Sequence, residues 1–394
     1  MTSKTFFVLF LALFVLACDD NKQQIADLEP VNDEAQTDTD TAGNDTPLTD
    51  GNDALLPDED GLIPTDDDVA TDTPTDADTV VVVSCAGLKD GENTILVNGE
   101  ESQDLARTFL LRLPTTIDDK KGWPVIFNWH GYGDTAANFE WLLSGSVNNA
   151  ELPFILVTPE DTNLAINQYP PAGVDWDILT LSNGSIEAEL FDAVLACIEE
   201  RWGVDEDRIH LAGFSAGSIT ADSLGVLRGD LIASIFTYSG AYFSDAKAKA
   251  DLGTMAAGFI SWPAMETDNK YVQAFMYGAE GDANCTGPTL CDKWGSSGFY
   301  INFNHMARFN ANYLTGMGHT VILCDHGKGH TNAGLSSTQL LRFFLDHPRG
   351  TVTSPYATDW PADYPDYCFL MTEPDPTIEP GYETPDDDSL LPDA

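Results

Sequence analysis

The run Arg208-Ile209-His210-Leu211-Ala212-Gly213-Phe214-Ser215-Ala216-Gly217 constrains this chain more than any other, because an apolar strand runs straight into Gly-x-Ser-x-Gly. That spacing describes a sharp strand-to-helix turn, which lifts a serine hydroxyl off the edge of a sheet. The glycines have a steric cause. The serine of such an elbow holds a strained backbone, and a side chain at either neighbouring glycine would collide with the adjoining strand or helix. The flanks agree: Leu190, Val194, Ile198 and Trp202 recur at helical spacing within 186–202, and 219–227 again reads as helix. Ser215 is the first candidate nucleophile.

Upstream, Pro124-Val125-Ile126-Phe127-Asn128-Trp129 reads as a buried strand ending in His130-Gly131-Tyr132-Gly133, ahead of a helical pattern over 135–143. Glycines there let the backbone approach a substrate. The loop after such a strand supplies one oxyanion-hole N–H and the residue after the nucleophile supplies the other, which points to Tyr132 and Ala216. The plainer alternative is an ordinary turn closing a strand.

Partners for the serine are expected downstream in the order acid, then histidine, each after a later strand. The strand-like 272–278 is followed by Ala279-Glu280-Gly281-Asp282, which makes Asp282 the candidate acid and Glu280 its nearest competitor. The final strand candidate, 320–324, leads into Asp325-His326-Gly327-Lys328-Gly329-His330 before a helical 336–346. His330 lies deeper in that loop and can fold back over the sheet edge, so it is preferred to His326. His210, inside the elbow strand, reads as a core or edge residue, and His305, His319 and His347 have no comparable setting.

These residues resemble the secreted polyhydroxybutyrate depolymerase-like and feruloyl or acetylxylan esterase-like α/β-hydrolases, over roughly Cys85 to His347. The resemblance rests on His130-Gly131-Tyr132-Gly133-Asp134-Thr135-Ala136 with Phe139, on Gly213-Phe214-Ser215-Ala216-Gly217, and on Gly327-Lys328-Gly329-His330. The acid loop departs from the family pattern, with Tyr277-Gly278 where members often carry His-Gly. What the resemblance implies is an α/β-hydrolase fold, a mostly parallel central sheet flanked by helices in a single catalytic domain, and a serine carboxylic ester hydrolase (EC 3.1.1.-). It implies Ser215, His330 and Asp282 as the catalytic triad, with neither metal nor organic cofactor required.

The N-terminus sets expectations about compartment. Lys4 precedes an apolar run, 6–17, which is too short to span a bilayer comfortably but suits a signal peptide. Val15-Leu16-Ala17-Cys18 resembles a bacterial lipobox, so residues 1–18 read as a lipoprotein leader with Cys18 lipidated at a membrane or cell surface. Plain secretion with Cys18 lost is the alternative, and the membrane face is open. Residues 19–80 carry 20 Asp and Glu against one Lys and no aromatic residue, so they cannot bury enough apolar area to offset chain entropy. They read as a disordered acidic stalk. An EF-hand reading of Asp38-Thr39-Asp40-Thr41-Ala42-Gly43 fails because Ala42 and Thr49 occupy ligand positions. Residues 373–394 read as a flexible acidic tail.

Between these tails, residues 81–372 read as the catalytic domain, long enough for one substantial α/β core. The chain holds 64 acidic and 18 basic residues, a net charge of −46, which excludes nucleic acid as a partner because binding it needs clustered Lys and Arg. No transmembrane helix is expected in the mature protein. Once Cys18 is set aside, six cysteines remain. Cys285 and Cys291 share one loop and form the expected disulfide, and a Cys85–Cys368 clamp on the domain ends is a weaker expectation. Cys197 reads equally as a buried free thiol, and the cysteine spacing does not suggest zinc.

Substrate preference belongs to the loops over Ser215. Residues 163–185 carry Tyr169, Trp176 and Asp177, and residues 286–300 carry Trp294, Phe299 and Tyr300. Aromatic walls suit aromatic acyl groups or sugar rings, so Trp176 and Trp294, with His130, are the substrate-binding candidates. Simple packing of the loops explains the aromatics equally well. Feruloyl, acetyl or short hydroxyacid esters, small or polymer-attached, are the expected substrates. Amide or peptide cleavage by the same triad is the runner-up, and an inactive surface interaction protein is the alternative of a different class.

Overall fold

Strand β3 (Trp123–Trp129) shows how this chain builds its sheet, since nearly every residue in it is buried and the two faces feed two different cores. Val125, Phe127 and Trp129 pack into one apolar cluster, while Ile126 between them packs into the other. This is the period-2 alternation of a strand covered on both faces, and it explains why the sequence reads as a continuous apolar run. The computed structural model describes residues 84–97, 105–118, 122–161, 176–177, 185–252, 260–279, 282–285 and 300–375. All fall in one of the chain's two units; the other, residues 20–79, lies outside the described residues.

A short 3₁₀ turn (Cys85–Gly87) precedes β1 (Gly91–Val97) and β2 (Leu105–Arg112). After β3 come two short helices, α1 (Ala136–Phe139) and α2 (Trp141–Ser144), then β4 (Ile155–Pro159) and α3 (Ser185–Trp202). The elbow unit follows as β5 (Val204–Phe214), α4 (Ala216–Leu227) and β6 (Ser234–Tyr238). Next are α5 (Ala246–Asp251), β7 (Val272–Tyr277), a ribbon of β8 (Ala283–Cys285) and β9 (Tyr300–Asn302), and α6 (Phe303–Gly316). The chain closes with β10 (Thr320–Asp325), α7 (Ser337–Asp346) and β11 (Cys368–Met371).

The main sheet has nine strands in the order β1-β2-β4-β3-β5-β6-β7-β10-β11. From β4 through β10 every neighbouring pair is parallel, and the antiparallel pairs sit toward the two edges. Helices α3 and α4 cover one face through Leu190, Val194, Ile198, Ile219 and Leu224, together with Phe303 and Leu314 of α6. Phe139 and Leu142 of α1 and α2, with Leu340, Phe343 and Phe344 of α7, cover the other. The expected mostly parallel sheet flanked by helices is therefore present. The pattern 135–143, expected as one helix, is two short ones meeting at Glu140.

The cysteines correct two expectations. Cys85 bonds Cys197, fastening the 3₁₀ turn to α3, and Cys324 bonds Cys368 across β10 and β11. A Cys85–Cys368 clamp is ruled out by topology, because the segment holding Cys85 leads into β1 at one edge of the sheet while Cys368 opens β11 at the other. Strand register puts Cys368 directly opposite Cys324, with their Cα atoms 4.0 Å apart. Cys197 is no free thiol, since its helix carries it to 4.7 Å (Cα–Cα) from Cys85. The expected Cys285–Cys291 pair lies outside what is described, as Cys291 falls in the undescribed 286–299. Among the described residues, no helix is long and apolar enough to cross a membrane.

Candidate active site

Ser215 sits between β5 and α4 with φ 54° and ψ −120°, a backbone conformation that a non-glycine residue rarely holds and that costs about 1–3 kcal/mol. Close packing enforces it. A Cβ on Gly213 would lie 2.5 Å from the carbonyl oxygen of Gly217, and one on Gly217 would overlap the carbonyls of Trp129 and His130. The elbow can therefore press against the end of β3 only because both positions lack side chains.

Strands β7 and β10, paired with each other, deliver the partners. His330, in the loop after β10, stands with Nε2 2.9 Å from Ser215 Oγ and Nδ1 2.7 Å from Asp282 Oδ1. A carboxylate can only accept, so Nδ1 carries the proton and Nε2 is left to accept the serine O–H. Asp282, after β7, is fully buried; its carboxylate also accepts the Ser239 hydroxyl, 2.9 Å from both oxygens, and the Gly278 N–H at 2.9 Å. Its main-chain carbonyl accepts the N–H of Phe303 at the start of α6. The imidazole meets the Phe214 and Phe303 rings at centroid distances of 5.0 and 4.9 Å, and it is nearly parallel to the latter. Serine, histidine and acid follow β5, β10 and β7, in the chain order serine, acid, histidine. This is the α/β-hydrolase fold.

The two segments expected to supply oxyanion donors are the start of α4 and the turn after β3. Ala216 is the first residue of α4, where helix N–H groups lack partners within the helix. Tyr132 lies in the turn leaving β3, the strand paired with β5, and is 40% exposed. Gly131 beside it packs so near the elbow that a Cβ would lie 2.9 Å from the Phe214 ring.

The competing histidines are engaged elsewhere. His326 is buried, its N–H donates to the Tyr277 carbonyl, and its Nδ1 accepts the N–H of Lys328; burial lowers its pKa. His210 faces Ser234 Oγ at 2.9 Å, His319 donates to the Tyr271 carbonyl, and His305 lies beside Asp251. Asp325 accepts the N–H of Gly327. Glu280 lies outside the described residues.

Two of the three substrate-binding candidates lie inside the protein. His130 is fully buried and Trp176 is 1% exposed, with its indole N–H donating to the His130 carbonyl at 2.9 Å and its ring edge-on to Trp129. Both side chains are buried against one another, so neither offers an exposed ring. Trp294 falls outside the described residues. Ser239, Gly278 and Phe303 were missed. Ser239 follows an apolar strand just before Gly240, a pattern shared by countless turns, so nothing in the sequence marked it as a partner of Asp282.

No protein-family model matches the chain. Feruloyl esterase D of Neurospora crassa is 25% identical over 162 residues, which make up 40% of this chain and 52% of that protein. The match thus spans about half the length of that curated relative. Among solved structures, native pOPH superposes with a TM-score of 0.54 at 14% identity, covering 76% of this chain and 99% of that chain. Native sOPH gives 0.50 at 19%, covering 72% and 94%. At such identities the likeness to the two is one of fold.

Proposed function

We propose that this α/β-hydrolase is a serine carboxylic ester hydrolase acting through an acyl-enzyme. The observation that carries the reading is the unbroken chain from Ser215 Oγ through His330 to the buried Asp282, at 2.9 and 2.7 Å. In this reading Ser215 Oγ attacks the ester carbonyl while His330 Nε2 takes its proton and then returns it to the departing alcohol. Asp282 holds the imidazole in the tautomer that leaves Nε2 free and stabilises the imidazolium when it forms. The N–H groups of Ala216 and Tyr132 receive the tetrahedral oxyanion, and one such donor is worth about 10²–10³ in turnover. Water activated by the same histidine then releases the acid.

The partial likeness to a feruloyl esterase supports an ester over an amide, and feruloyl, acetyl or short hydroxyacid esters as the class. The lipobox-like Val15-Leu16-Ala17-Cys18 supports export with a lipid anchor on Cys18. A fluorophosphonate probe followed by an ester panel tests the chemistry. Labelling at Ser215, lost in Ser215→Ala and His330→Ala, with hydrolysis of ferulates, acetylated xylan or hydroxyacid esters, is expected. Folded protein that neither labels nor turns over any ester refutes the reading, and preferential cleavage of the matched amides refutes the substrate class. Retention of the Cys18→Ala protein in the membrane fraction would refute the anchor.

A further inference from the structure

The first residues beyond β3 and β4 meet because these strands are parallel neighbours, so their C-terminal ends lie side by side. His130 follows β3, and Glu160 and Asp161 follow β4. One ligand atom from each lies within 4.8 Å of the others, and among the described residues this is the one group of three or more such side chains so gathered. Acidic clusters are common on protein surfaces, and the buried histidine sets this one apart.

His130 is fully buried. Its Nδ1 lies 2.9 Å from the Gly131 carbonyl, which can only accept, so Nδ1 bears the proton. Nε2 has no hydrogen-bond partner and points toward Glu160 Oε1 at 3.8 Å. With Nε2 unprotonated, the ring aims a lone pair at a carboxylate oxygen, and a cation between the two removes that conflict. A ring nitrogen fixed by an Nδ1–H···O=C bond, with the other nitrogen free, is how metal-binding histidines are oriented. Glu160 is oriented too, because its second oxygen accepts the Ala136 N–H at 3.0 Å, leaving Oε1 for the site. Asp161 and Asp134 stand nearby and carry further carboxylates.

We propose that His130, Glu160 and Asp161 bind one zinc-class divalent cation that braces the loop after β3 against the end of β4. Imidazole with two carboxylates suits zinc, whereas calcium and magnesium take oxygen ligands almost exclusively. Nitrogen and oxygen ligands at about 2.0–2.2 Å from a tetrahedral ion stand roughly 3.4 Å apart, so a small shift of the partly exposed Glu160 side chain closes the site. Water completes the shell. The braced loop carries Tyr132, and the carbonyls of Trp129 and His130 lie against Gly217 of the elbow. The site stands whether or not the proposed ester chemistry does, since it involves none of Ser215, His330 or Asp282.

The test uses the full-length chain stripped by chelator, then titrated with zinc alone, with binding followed by calorimetry and stability by thermal melting. One tight zinc equivalent and a rise in Tm are expected in the wild type. Glu160→Gln, whose amide can donate to His130 Nε2 while its oxygen still accepts the Ala136 N–H, is expected to lose affinity at least tenfold along with the Tm rise. Asp161→Asn, at a partly exposed position, is expected to do the same and decides the matter if Glu160→Gln fails to fold. Calcium at equal concentration is expected to give no comparable equivalent. Absence of a tight equivalent in the wild type, or equal zinc affinity and Tm response in wild type and folded variants, overturns the site.

Discussion

At the scale of single residues, the carboxylate of Asp282 is the most heavily bonded group in the site, with His330 Nδ1, the Ser239 hydroxyl and the Gly278 N–H all directed at it. Asp282→Asn presents an amide where only an acceptor fits. The imidazole then adopts the wrong tautomer, and kcat is expected to fall by up to about 10⁴ with KM and fold little changed. Asp325→Asn and Glu280→Gln are expected to stay near wild type, and a dead Asp325→Asn or Glu280→Gln beside an active Asp282→Asn would move the acid. In the proposed mechanism Ser239 acts as a positioning residue through Asp282. Ser239→Ala removes one charge-assisted bond from a buried carboxylate, so a drop in kcat of about tenfold at unchanged KM is expected, corresponding to roughly 1.5 kcal/mol. Because Ser239 holds φ 60°, where a β-branched residue is strained, Ser239→Cys, unbranched and with a weaker donor, is the control and is expected to lose less than Ser239→Ala. Equal losses in the two variants would make the effect one of packing.

At the scale of elements, the elbow depends on contact between α4 and the end of β3. The Cβ added in Gly217→Ala meets main-chain carbonyls of Trp129 and His130, which cannot swing aside as a flexible side chain can. A loss of about 1–3 kcal/mol in unfolding free energy is expected, with a larger fractional loss of activity because the shift falls on Ser215 and Ala216. Chemical denaturation and kinetics on the same preparation would show it, and wild-type values in both would mean the elbow has slack. The end of α7 carries a pH-sensitive element. His347 is buried, donates from Nδ1 to the Phe343 carbonyl and meets Ser354 Oγ at 2.7 Å through Nε2, and desolvation lowers its pKa to about 4. The unfolded chain, with a histidine pKa near 6.5, takes up this proton first. Its contribution is therefore complete above about pH 6.5 and is lost as pH falls through about 4, by up to about 3 kcal/mol. Urea unfolding of wild type and His347→Gln at pH 7 and pH 4 should give a gap that narrows with acid; parallel values refute the linkage.

At the scale of the whole molecule, the composition of residues 19–80 predicts that catalysis does not need them, since a chain so acidic and so poor in aromatics offers a folded domain few contacts. A chain starting near Val80 is expected to keep the Tm and specific activity of the full protein. Loss of folding on that truncation would place part of the acidic run inside the domain. The parallel core of the sheet was legible because each buried strand is a short apolar run, as in 124–129 and 272–277, and each helix keeps a 3.6-residue stripe, as in Leu190, Val194, Ile198 and Trp202. The edges were harder. β11 is four residues long and exposes Phe369, so it lacks the apolar continuity of a central strand and becomes one only by pairing with β10.

What the sequence determined by itself are features encoded within a few residues of one another: the glycines around Ser215, the strands ahead of Asp282 and His330, and the chain order of the three. Sterics at a tight turn and the periodicity of buried side chains are local, so they leave a local trace. The Cys85–Cys197 and Cys324–Cys368 pairings, the hydroxyl that Ser239 offers to Asp282, and the burial of His130 and Trp176 had no such trace. They follow from which strands lie side by side and which loops cross at their ends, and only the tertiary packing of the nine-stranded sheet settles that.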